Sequence, residues 1–89
     1  MSRRLIRLAA ALAKGPVTRE QADLIAPASN GPHFIGELRR KLKIDLNCDR
    51  VPFTTKDGEP SWYGRYTPTR EERAKLMAFV IEQGGNLDD

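Results

Sequence analysis

The stretch SNGPHFIGELRRK gathers Ser29, Asn30, His33, Glu37, Arg40 and Lys41. Wound into a helix at about 100° per residue, Ser29, His33, Gly36, Glu37 and Arg40 fall on one side. A hydroxyl, an amide, an imidazole, a carboxylate and a guanidinium on one face are donors and acceptors suited to reading base edges or holding phosphates. They do not make a reaction centre. His33 is the only histidine and has no nucleophile or orienting partner at recognisable spacing. Glu20, Asp23, Glu37, Asp45, Asp49 and Asp57 are scattered, and there is no glycine-rich phosphate loop. Cys48 stands alone, so no intrachain disulfide forms, and one Cys with one His falls short of a structural zinc tetrahedron. The expectation is therefore a binding protein with no catalytic site, metal, cofactor or small-molecule substrate.

The chain of 89 residues has room for one modest core. Its net charge of +3 is unevenly spread, with twelve basic against seven acidic residues up to Tyr66 and three against five beyond it. The N-terminal MSRRLIRLAAALAKG carries basic residues and Ala11-Leu12-Ala13, but Arg7 interrupts its apolar run, which is shorter than a signal-peptide core. It reads instead as an amphipathic helix with Leu5, Leu8, Ala9 and Leu12 inside and Arg3, Arg7 and Lys14 outside; an arginine-rich transit peptide is the alternative.

Gly15-Pro16 ends that helix. Thr18 and Gln21 have the spacing of a capping box, with Val17 and Ala22 as its staple, so a second helix is expected from Arg19 to Ala26. Ser29 or Asn30 caps a third helix with Pro32 in its first turn, Ile35, Leu38 and Leu42 on its apolar side, and Phe34 at the edge. Arg39, Arg40 and Lys41 suit the negative end of its dipole as well as an anionic ligand. Glu37 has two readings, a pair with Lys41 or an acceptor for a cytosine amino group.

From Ile44 the apolar period becomes two, with a slip near Asp49 that suggests a bulge. Asp57-Gly58 reads as a two-residue hairpin turn. That turn sets Phe53 against Trp62, Val51 against Gly64 and Arg50 against Arg65, so that Val51, Phe53, Trp62 and Tyr66 form the inner face. The Arg50–Arg65 repulsion would then be relieved by a phosphate, Trp62 would be core rather than a stacking surface for a base, and Cys48 would be a small buried hydrophobe. A last helix begins at Thr69, three residues before Glu72, with Leu76, Met77, Val80 and Ile81 as its stripe. Phe79 falls outside that stripe and points either to a second copy or back to the first helix.

Helix, helix, tight turn, helix, hairpin, helix is the order of a winged helix-turn-helix domain. GPVTREQADLIAPASNGPHFIGELRRKLKIDLNCDRV followed by DGEPSWYGRYTPT resembles the small domains of that kind in bacteriophage and prophage proteins, over about Leu8 to Thr69. The likeness rests on VTREQADLIA, on SNGPHFIGELRRK, on Ile44-Asp45-Leu46 and on YGRYTPT. It implies double-stranded DNA as partner, the third helix in the major groove and the hairpin as a wing on the backbone.

The expectation is thus an α+β, mainly α, chain: one winged helix-turn-helix domain over residues 1–83, with a three-helix core, a hairpin wing and a C-terminal helix, then a tail at 84–89. Its expected DNA contacts are Arg19, Ser29, Asn30, His33, Glu37, Arg40, Lys41, Lys43, Arg50, Lys56 and Arg65. Leu76, Phe79 and Val80 are the expected homodimer interface. The setting is the cytoplasm of a bacterial host cell, away from membranes, and the role is transcriptional or replication control. The competing reading is a winged-helix module that binds protein, a second copy or a host factor, without reading DNA sequence.

Overall fold

A computed structural model describes residues 3–25 and 31–85. Its elements are α1 (Arg3–Lys14), β1 (Val17–Thr18), α2 (Arg19–Ile25), α3 (Gly31–Leu42), β2 (Cys48–Thr54), β3 (Pro60–Tyr66) and α4 (Arg70–Glu82). The strands form one antiparallel sheet in the order β1-β3-β2. Ser29 and Asn30, the expected caps of α3, and Ala26, the expected end of α2, lie outside the described residues.

α1 is the centre of the core. Leu5, Leu8, Ala9, Ala10, Leu12 and Ala13 are all buried, so the inward arc is wider than the four positions at helical spacing. α4 packs along α1, and α2 and α3 close the remaining sides with Ala22, Phe34, Ile35 and Leu38. Phe34 is buried and not at the edge of its helix. The Thr18–Gln21 capping box forms in both directions, at 2.9 and 3.0 Å. Thr18 also pairs with Arg65, and Val17 with Tyr66, which makes β1 a third strand that the sequence reading lacks.

The hairpin differs from its expected register by one residue. Thr55 N–H donates to Glu59 O at 2.8 Å, Gly58 N–H to Thr55 O at 2.9 Å, and Gly58 has φ +81°. The loop therefore has three residues, Lys56-Asp57-Gly58, with glycine supplying the left-handed position that closes a longer turn. Arg50 consequently faces Gly64, Asp49 faces Arg65, Pro52 faces Trp62 and Phe53 faces Ser61. The expected Arg50–Arg65 repulsion does not exist; Arg65 stands opposite a carboxylate instead. Pairing runs from Cys48 to Thr54 without a slip at Asp49, and Cys48 is exposed. Ile44 and Leu46 are buried anchors of a turn and not strand residues.

α4 is turned differently from its expected stripe. Glu72, Leu76, Phe79 and Val80 face inward, while Met77 and Ile81 are exposed. Leu76, Phe79 and Val80 thus belong to the chain's own core rather than to an outward face. Gly84 and Gly85 belong to the helix end, since Gly85 N–H donates to Val80 O at 2.9 Å.

Glu72 joins three elements. Its Oε1 accepts Thr69 N–H at 2.8 Å, completing the capping box with Thr69 Oγ1. Its Oε2 accepts Asp45 N–H at 2.8 Å and Leu46 N–H at 3.1 Å. From the other side, Arg39 Nε donates to Asp45 O and its second guanidinium nitrogen to Leu46 O, both at 2.7 Å. The α3–β2 turn, in which Lys43 and Leu46 have positive φ of 54° and 45°, is held through its N–H groups by one charge and through its carbonyls by the other. Burial alone would raise the Glu72 carboxyl, but the Thr69, Leu46 and Asp45 N–H donors together hold it below its usual value.

The stability this carboxylate contributes is complete above the unfolded-state value near 4.5 and is lost as pH falls through the lowered folded value. Glu72→Gln places an amide N–H₂ where N–H donors converge, and a chemical denaturation series at pH 7 should show a loss of about 2 to 3 kcal/mol. The deficit should shrink on acidification. A variant as stable as wild type at pH 7 contradicts the arrangement. Phe79→Ser should cost roughly 3 to 5 kcal/mol by the same measurement, as expected for a core aromatic.

Candidate nucleic-acid interface

Phe34, Ile35 and Leu38 turn α3 inward on one side, which leaves His33, Arg40 and Lys41 exposed and Gly36 and Glu37 half-buried. His33 Nε2 lies 3.6 Å from Glu37 Oε1, one turn along the same ridge. The neighbour of Glu37 is therefore His33, where the sequence suggested Lys41. The His33 ring stands edge-on to Phe34, with centroids 5.6 Å apart. Arg40 folds back along the helix, its guanidinium 3.3 Å from where a side chain on Gly36 would begin. His33, Glu37 and Arg40 are thus brought together on one exposed strip. Ser29 and Asn30 lie outside the described residues.

Lys43 ends α3 in a left-handed conformation, with Ile44 N–H donating back to Arg39 O at 3.2 Å, so its exposed ammonium marks the point where the helix gives way to the hairpin. Arg39, in the same basic run, is committed to the turn. Its two carbonyl contacts give the cation a structural task that neighbours of identical charge lack.

A second group forms on the sheet. Arg19 opens α2, and its aliphatic stem lies over Gly64, where a side chain would run into Cγ and Cδ of Arg19. Gly64 is the cross-strand partner of Arg50, whose guanidinium carbon sits 4.5 Å from the centroid of Trp62. Arg19 and Arg50 are exposed, so the backbone space left by one glycine draws two cations from distant parts of the chain towards one sheet face. Tyr66 lies at the base of that face, and burial foremost pushes its hydroxyl above the usual range.

Lys56 is exposed in the hairpin loop, beside Asp57. Arg65 is half-buried between Thr18 and Asp49, and its Nε is buried without a hydrogen-bond partner. Asp49 accepts from Asn47 Nδ2 at 2.6 Å and from Thr67 Oγ1 at 3.0 Å, which ties the base of the hairpin to the strand exit.

Trp62 is 48% exposed and Phe53 44%, so neither is the core residue the expected register made it. The one-residue shift places them on opposite faces, and both are exposed because the outer part of the hairpin contributes nothing to the core on either face. Among the described residues no helix is long and apolar enough to cross a membrane, and no three His, Cys, Asp or Glu side chains stand together as a metal site. Comparison with protein-family models, with curated proteins and with solved structures gives no match for this chain.

Proposed function

We propose that the chain is a small winged helix-turn-helix DNA-binding protein of phage or prophage type, a regulator of transcription or replication in the cytoplasm of a bacterial host. The observation that carries this reading is the pairing of an exposed polar and basic strip on α3 with a hairpin separated from that helix by only five residues. The order α1, β1, α2, α3, β2, β3 with β3 central in the sheet supports it. A helix fits the major groove, and His33, Glu37 and Arg40 supply both donors and acceptors for base edges. Lys41 and Lys43 at the end of α3, Arg19 on α2, and Arg50 and Lys56 on the hairpin are cations for phosphates, which fix orientation without reading sequence.

A symmetric DNA site is read most simply by two copies. In this proposal pairing through α4 uses Met77 and Ile81, because Leu76, Phe79 and Val80 are occupied inside each copy.

Binding of the full chain to labelled duplexes tests the reading, first on a pool of random sequence and then on the duplexes recovered from it. Arg40→Ala should weaken the preferred duplex by about 1 to 3 kcal/mol and relax its selectivity. A uniform loss over all sequences reassigns Arg40 to phosphate, and an unchanged affinity on every duplex contradicts the role given to α3. Arg50→Ala should weaken all sequences alike while costing the fold no more than about 1 kcal/mol, the worth of an exposed cation–π contact.

A further inference from the structure

The chain has six Phe, Trp and Tyr residues. Phe34, Tyr66 and Phe79 are buried, and the other three, Phe53, Trp62 and Tyr63, all stand exposed on the β2–β3 hairpin. The three exposed rings do not share a face. In the observed register Val51, Phe53, Ser61 and Tyr63 project to one side, with the Phe53 and Tyr63 centroids 5.8 Å apart. Arg50, Pro52 and Trp62 project to the other, where the Arg50 guanidinium covers the indole. Aromatic side chains bring large apolar area into a core or an interface, and here half of the chain's supply is left in water on one ribbon.

The two-sided display narrows the occupant. A flat protein surface covers one face of a hairpin and leaves the rings of the other face in water. Pro52 removes a backbone donor from the outer edge of β2, which disfavours extension by a further strand on that edge. Planar rings on both sides of a thin ribbon suit insertion among other planar groups; the ribbon's charges balance, with exposed Lys56 near exposed Asp57 and Glu59, so the match rests on the rings and on the Arg50 guanidinium at the indole. Bases in an intact duplex are stacked on each other and offer no free face.

The geometry points to the unpaired bases of single-stranded or locally opened DNA as the ligand of this hairpin, stacked on the Phe53–Tyr63 pair on one side and on Trp62 with its Arg50 on the other. This rests on the DNA-binding reading above and adds to it a preference for opened over uniform duplex. Phosphates flanking the stacked bases pair with Arg50 and Lys56.

Trp62 is the only tryptophan, so its emission reports on the hairpin alone. The full chain is titrated with oligo-dT of about 12 nucleotides, a length within the range such sites occupy. Parallel titrations use a blunt duplex and the same duplex with a central unpaired stretch. Oligo-dT and the opened duplex should quench Trp62 strongly, and the opened duplex should bind about tenfold tighter than the blunt one, a factor that one good base–aromatic stack supplies. The double variant Phe53→Ser, Tyr63→Ser should lose most of that preference and keep its affinity for blunt duplex, with circular dichroism showing that it is still folded at the titration temperature despite a melting point lowered by the lost ring pair. Equal affinity for the two duplexes with unaltered Trp62 emission overturns the inference and leaves the DNA reading standing. Absence of binding to every DNA overturns both. Self-association without DNA that the double variant abolishes assigns the rings to a second copy and overturns the inference as well.

Discussion

Between α3 and β2 the chain reverses within five residues, and the backbone groups of Asp45 and Leu46 are given up entirely to two side chains from elsewhere. The Glu72 carboxylate takes their N–H groups and the Arg39 guanidinium takes their carbonyls. A turn with two non-glycine residues at positive φ is conformationally costly, and a buried backbone polar group without a partner costs more. The two charges offset both costs at one place. Because Glu72 is also the third residue of α4 and completes its capping box, the direction of the hairpin, the end of α3 and the start of α4 are fixed by one carboxylate.

The clamp divides the labour among residues that look alike in composition. Arg39 is bound into the turn by two carbonyl contacts, whereas Arg40 and Lys41 stand exposed on the helix. The aromatic residues divide in the same way. Phe34, Tyr66 and Phe79 close the core around α1, whereas the outer part of the hairpin adds nothing to that core and carries its rings in solvent. A small domain that withholds three of six aromatics from its core gives up burial free energy, which is the pattern expected where function competes with stability.

The helices were legible because each has local punctuation: Gly15-Pro16, the Thr18–Gln21 and Thr69–Glu72 boxes, and Pro32 at an N-terminus that needs no donor. The hairpin was legible as a hairpin from Asp57-Gly58, but its register was not. Asp-Gly fits both a two-residue loop and the end of a three-residue loop, and one residue of difference exchanges every partner. β1 was invisible, since two residues have no period, and Thr18 already had a role as a cap. The face of α4 is ambiguous in the sequence, because Leu76 and Val80 can be flanked by Met77 and Ile81 on one side or by Phe79 on the other, and the residue one turn before Leu76 on the true inward side is a glutamate, Glu72. The role of Arg39 could not be separated from that of Arg40, because their difference lies in which carbonyls each can reach. The face of α3 that carries His33, Glu37 and Arg40 follows from helical spacing and was legible, whereas the packing of the Arg19 stem over Gly64, the cross-strand partner of Arg50, is a tertiary contact with no local sign.

The functional account depends on the exposed cations of α3 and the hairpin engaging phosphates. Its most direct test is the salt dependence of wild-type affinity for a random-sequence duplex. If Arg19, Lys41, Lys43, Arg50 and Lys56 meet phosphates, the logarithm of the binding constant should fall linearly with the logarithm of salt concentration, with a slope of about −4 to −5. A slope near zero, or no measurable affinity at low salt, would contradict the account.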